Sequence, residues 1–152
     1  MSRNIVWVLL CLASSLASAA AAVDSNTSER LLIEAAQIRL PLPGQSTAVV
    51  YLRLSNHSSR DRNVSKVKVE GAAVSELHQH IHRDGMMRMR RLDSIAVAAG
   101  ATLQFKSGSY HIMAFRMVEA GSEQERKDRT YDVTITMADG EKVTAKAQPV
   151  TL

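Results

Sequence analysis

From Leu31 onward, apolar and polar residues alternate with a period of two. Between Thr47 and Ser55, the residues Ala48, Val50, Leu52 and Leu54 fall on one side and Arg53 and Ser55 on the other, the pattern of a half-buried strand. Asn56-His57-Ser58-Ser59 follows with turn chemistry. Val67 and Val69 alternate with Lys66 and Lys68, which predicts a second strand with one wet face. Glu76 to His82 and Met86 to Arg91 flank Arg83-Asp84-Gly85, a hairpin signal because glycine tolerates positive φ. Leu103 and Phe105 mark a further strand, and Ser107-Gly108-Ser109 turns the chain into Tyr110 to Met117. Thr130 to Met137 and Lys142 to Val150 form a last pair closed by Ala138-Asp139-Gly140. Only Gly121 to Arg129, dense in charge, reads as a solvated loop or a single helical turn. Short strands with regular turn signals predict an all-β, antiparallel Greek-key sandwich or barrel, long enough to bury one continuous core.

The first residues differ in kind. Arg3 precedes a mostly apolar run from Ile5 to Leu16, and small residues from Ala17 to Ala22 offer A-x-A cleavage sites. That layout predicts a secretory signal peptide over residues 1–22 and one domain over residues 23–152, exported to the periplasm. The apolar run is shorter than the ~20 residues of a spanning helix. Cys11, the only cysteine, lies inside this leader after Leu10, in mid-run and not behind a small residue, so no lipid is expected on it. The mature domain then has no cysteine. It can form no disulfide, and blue copper, iron–sulfur and cysteine-bound zinc sites are excluded together.

Losing the leader removes Arg3 alone among charged residues, leaving 18 Lys plus Arg against 15 Asp plus Glu and a net charge of +3. The basic residues do not interleave with aromatics, which argues against nucleic acid. No carboxylate pair, Ser–His–Asp ordering or phosphate loop stands out, and no catalytic residue is assigned. The informative residues are histidine and methionine. Four of the five histidines fall between His78 and His111, and Met86, Met87, Met89 and Met113 share that stretch. Residues two apart on a strand share a face. His111 can therefore act beside Met113, His78 beside His80 and His82, and Met87 beside Met89. Soft sulfur donors select Cu(I) over hard cations. Thioethers have no proton to lose and form no disulfides, which suits a transfer site in an oxidising compartment.

Ten residues separate His78 from Met89, twenty-one separate Met89 from His111, and one separates His111 from Met113. This spacing resembles the His-x10-Met-x21-His-x-Met motif of the periplasmic PCuAC-type copper chaperones. Ala48 to Asn56 (AVVYLRLSN), Glu76-Leu77-His78 and Gly108 to Met113 resemble the same family's strands, so the likeness spans most of the mature chain. The resemblance implies a cupredoxin-like β-barrel that binds Cu(I) through His78, Met89, His111 and Met113. It also implies delivery toward the binuclear copper centre of cytochrome c oxidase, often with a Sco-type thioredoxin-fold partner. The sequence departs from the pattern in three places. Gln37 stands where a tryptophan is common, which should affect packing more than copper. Glu125 to Asp128 lacks a glycine usual before the penultimate strand. No His/Met-rich tail precedes Leu152, so one metal site is expected.

Other residues fit blander roles. His80 and His82 are either extra ligands or the polar face of their strand. Met86 and Met87 read as an apolar rim or core contact, with substitution as sulfur donors left open. His57 is expected in solvent and Met117 and Met137 in the core. Arg88, Arg90 and Arg91 read as a wet hairpin face able to steer an acidic partner. An electron-transfer cupredoxin would need a thiolate the domain lacks. A copper-buffering or resistance protein could use the same ligands as a chaperone, and a metal-free adhesion-like sandwich would bind no copper.

Overall fold

A computed structural model of the chain describes residues 30–83, 85–118 and 121–150. The leader, including Cys11, lies outside the described residues. Ten strands account for most of the rest: β1 (Leu31–Arg39), β2 (Ala48–Asn56), β3 (Arg62–Val69), β4 (Ala72–Arg83), β5 (Met86–Leu92), β6 (Ile95–Val97), β7 (Thr102–Phe105), β8 (Tyr110–Met117), β9 (Tyr131–Met137) and β10 (Lys142–Pro149). One short helix, α1 (Glu123–Asp128), lies between β8 and β9. It settles the charged segment as a helical turn. Ser122 and Glu125 close a reciprocal capping box at its start, and none of its residues is buried.

The strands hydrogen-bond in the order β5-β4-β8-β7-β2-β1-β10-β9-β3-β6, with β8 also pairing β2. The chain changes halves at β2 to β3, β3 to β4, β5 to β6, β6 to β7 and β8 to β9, crossings of the kind that build Greek-key sheets. The expected all-β architecture holds. The purely antiparallel pairing does not, because β1 runs parallel to β10 (Gln37 opposite Gln148), and β7 meets β8 in parallel at Phe105 and Tyr110. The β1–β10 ladder is the seam joining the two halves. A register shift between Glu34 and Gln37, with Ala35 at φ 48°, bends β1 on its way to that seam.

Alternation places one face of each half inward. Ile38, Val50, Leu54 and Ile112 from one half and Val64, Val69, Val133 and Ile135 from the other are at most 1% exposed and belong to a single core cluster. Met117 and Met137 are buried there, as their positions in the sequence predict. Phe105 ends β7 and Ser107-Gly108-Ser109 carries the chain on into β8 in the same direction, with Gly108 at φ 75°. As a result β7 and β8 lie end to end along β2, β8 against Ala48 to Val50 and β7 against Leu52 to Ser55. This leaves β8 free on its other edge to receive β4.

Candidate metal centre

On β8 the residues Ile112 and Ala114 face the core, so His111 and Met113 belong to the outer face. The β4–β8 ladder sets His78 directly opposite His111 and Glu76 opposite Met113. The β4–β5 hairpin sets His80 opposite Met89, His82 opposite Met87 and His78 opposite Arg91. Directly opposed residues share a face. Every histidine and methionine of the motif therefore lies on one side of this three-stranded ribbon.

His111 is only 2% exposed even though it points away from the core. Other rings cover it. The His80 ring stacks on it with centroids 4.7 Å apart and planes at 27°, and the His78 ring lies 5.9 Å away. Phe115 meets His78 edge-on at 6.1 Å. His111 Nδ1 lies 3.1 Å from the Ser109 carbonyl, and a carbonyl only accepts, so Nδ1 carries the proton and Nε2 the lone pair. His78 Nε2 lies 2.9 Å from Glu76 Oε2. His78 Nδ1, His80 Nδ1 and His111 Nε2 are buried and have no hydrogen-bond partner. Buried polar atoms seldom stay unpaired without a reason such as a bound cation. Three such nitrogens belong to one imidazole cluster, and imidazole nitrogen suits copper, zinc, iron or nickel.

Among the described residues no three His, Cys, Asp or Glu side chains form a ligand group on their own. Met89 is 50% exposed on the edge strand and Met113 is partly buried on β8. Counting four residues along β4 and two strands across, at ordinary rise and spacing, puts the Met89 and Met113 Cα atoms about 16 Å apart. The fold thus brings His78, His80 and His111 together and leaves the two methionines on opposite flanks. His82 is exposed beyond them and His57 is exposed in the turn after β2. Met86 and Met87 are 52% and 61% exposed, which of the two expected roles fits the apolar rim and not the core contact. They sit beside the hairpin turn, where no layer covers them.

Glu76 is not singled out from the sequence, and Arg91 is expected there only on a wet hairpin face with Arg88 and Arg90. Glu76 and Arg91 lie on the ligand face with His78, with Arg91 Nη1 3.4 Å from Glu76 Oε1. Arg91 therefore does not share a face with Arg88 and Arg90. The signal for Glu76 was present, because a residue two before His78 must share its face.

Burial pushes the pKa of His111 below its ordinary value, the charges of His80 and His78 push the same way, and the Ser109 carbonyl partly opposes them. His111 is thereby kept neutral, the form that binds metal. The unfolded chain regains a value near ~6.5. As pH falls through the window below that value the unfolded state binds more protons, so the contribution, complete above ~6.5, is lost toward the folded pKa. Metal-free protein should unfold at lower urea at pH 5.5 than at pH 7.5, and His111→Gln should reduce this pH dependence. An undiminished dependence in the variant would assign it to other groups.

The family model for LpqE-like lipoproteins matches residues 31–150. No curated protein matches the chain. Among solved structures, the chain resembles a copper-bound PCuAC domain from PmoF2, with TM-score 0.63 and 18% identity over 80% of this chain and 93% of that one. An apo PCuAC domain from PmoF1 gives TM-score 0.64 and 14% identity over 80% and 94%. The Cu(I) form of DR1885 from Deinococcus radiodurans gives TM-score 0.60 and 19% identity over 78% and 76%. At these identities the likeness establishes the fold, the cupredoxin-like β architecture expected from the sequence. With the family model spanning all ten strands and the imidazole cluster of β4 and β8, the chain belongs to the LpqE-like family.

Proposed function

We propose that the protein is an exported Cu(I)-binding chaperone that holds one cuprous ion at the β4–β8 imidazole cluster and passes it on without catalytic turnover. The observation that carries this reading is the cross-strand pair of half-buried His78 and buried His111, each with one ring nitrogen hydrogen-bonded and the other free. His78 and His111 supply nitrogen, and Met89 and Met113 supply sulfur from either flank. Soft thioethers beside neutral imidazoles favour Cu(I) and leave the loaded site with a single positive charge. The exposed Met89 is the ligand an incoming acceptor reaches first. Solved relatives in the same fold are copper-bound and Cu(I) forms, which supports the choice of ion.

Export is supported by the lipoprotein family and the leader pattern, and no helix of the described residues is long and apolar enough to cross a membrane. The proposed acceptor is the copper subunit of cytochrome c oxidase, reached directly or through a Sco-type protein.

Purified protein should bind one Cu(I), with nitrogen and sulfur scattering both visible in its X-ray absorption. Met89→Leu and Met113→Leu should each weaken Cu(I) binding, at a stability cost under ~1.5 kcal/mol because the swap nearly conserves volume. Scattering from nitrogen or oxygen alone, or two variants that bind like the parent, would remove the thioethers from the site.

A further inference from the structure

We propose that Glu76, braced by Arg91, is a positioning residue that fixes His78 as the Nε2–H tautomer and so presents Nδ1 to Cu(I). The inference rests on the copper reading above and specifies the donor atom. Glu76 Oε2 lies 2.9 Å from His78 Nε2, and Arg91 Nη1 lies 3.4 Å from the other carboxylate oxygen. A carboxylate can only accept, so Nε2 must carry the proton. Neutral imidazole has one N–H, which leaves the lone pair on Nδ1, the ring nitrogen that is buried without a partner. His111 is held the other way, with Nδ1–H on the Ser109 carbonyl and Nε2 unpartnered. The two rings are cross-strand neighbours, yet they offer opposite nitrogens to the ion.

The side chains of His78 and Glu76 are 12% and 22% exposed, so water competes only weakly for this hydrogen bond. Register explains why the three residues meet. Glu76 shares the face of His78 two positions before it on β4, and Arg91 is the partner of His78 on β5. Arg91 holds the other carboxylate oxygen and balances its charge. Glu76 is not itself a ligand in this arrangement: both its oxygens are engaged, and Cu(I) prefers softer donors. A carboxylate on the far nitrogen also raises the basicity of the donor nitrogen, and losing such a partner typically costs about 10–100-fold in metal affinity.

The test uses protein carrying 15N-labelled histidine at pH 8, with long-range proton–nitrogen correlation spectra to assign each tautomer. The parent should show His78 as Nε2–H and His111 as Nδ1–H. Glu76→Ala should give mixed tautomers at His78 alone, with unchanged His111 signals reporting an intact β8, and Cu(I) affinity about 10–100-fold lower. Glu76→Gln keeps an accepting oxygen and should restore both the tautomer and most of the affinity. A parent with His78 as Nδ1–H, or Glu76→Ala with an unchanged tautomer, overturns the proposal. So does Glu76→Gln as damaging to affinity as Glu76→Ala, which would make the carboxylate a ligand. A parent with the expected tautomers that binds no Cu(I) overturns the copper reading, and the donor assignment falls with it.

Discussion

Replacing His78 and His111 together by alanine is expected to lower Cu(I) affinity by more than about a hundredfold, beyond the loss typical of a single supporting partner. The two imidazoles are the part of the site that the fold has already assembled, facing each other in register and shielded by His80 and Phe115. Without them the remaining motif donors are two methionines on separate flanks of the ribbon. Cu(I) would then have to gather both sulfurs with only His80, stripped of its stacking partner His111, as an anchor, paying the ordering cost of the exposed Met89 side chain and the β5 edge. Either single substitution leaves one anchored imidazole and should cost less than the pair. A competition titration against a Cu(I)-selective chelator measures the effect, with far-UV circular dichroism to verify the fold. A double variant within tenfold of the parent would place the copper elsewhere.

The second large effect concerns stability. Asn56→Ala should destabilise the domain by on the order of 3 kcal/mol, since each buried group left unsatisfied costs about 1–3 kcal/mol. Asn56 ends β2 and is completely buried. Its amide nitrogen lies 2.9 Å from the Arg60 carbonyl and 3.1 Å from those of Val97 and Ala98. Its oxygen accepts from the Ser58 backbone N–H at 3.1 Å and the Ser58 hydroxyl at 2.6 Å. One side chain thus fastens the loop after β2 to the end of β6, and alanine would strand the groups at both ends. A domain of this size has roughly 5–15 kcal/mol in all. Chemical unfolding should show the loss as a lower midpoint. Asn56→Asp separates shape from bonding, because a carboxylate of the same size cannot donate to the three carbonyls and should be no better tolerated. An Asn56→Asp protein as stable as the parent would show that the network is dispensable.

That network shows where residue-by-residue reading stops. Asn56-His57-Ser58-Ser59 is legible as a turn because those residue types bond to nearby backbone. Nothing local reveals that Asn56 reaches Val97, forty-one positions on. The strand β6 is equally hidden. Its three residues are too few to show a period, and they pair because β3 offers Arg62 to Val64 as an edge. The parallel seam between β1 and β10 is likewise set by the packing of two halves of the chain.

The site divides along the same line. Period two assigns His78, His80 and His82 to one face of β4, and His111 with Met113 to one face of β8, because side-chain direction along a strand follows from the backbone alone. Residue chemistry by itself selects a soft metal and excludes thiolate sites. Which strands lie side by side is not a local property. The sequence does not contain the register that sets His78 against His111 and Arg91, buries His111 beneath His80, or parts Met89 from Met113. Those relations arise because the β7–β8 turn leaves one edge of β8 open and β4 closes it with Leu77 in the core opposite Ile112. A shift of one residue would turn Leu77 out to solvent and the histidines inward. Burial of that one apolar face fixes the register, and the register decides which donors meet.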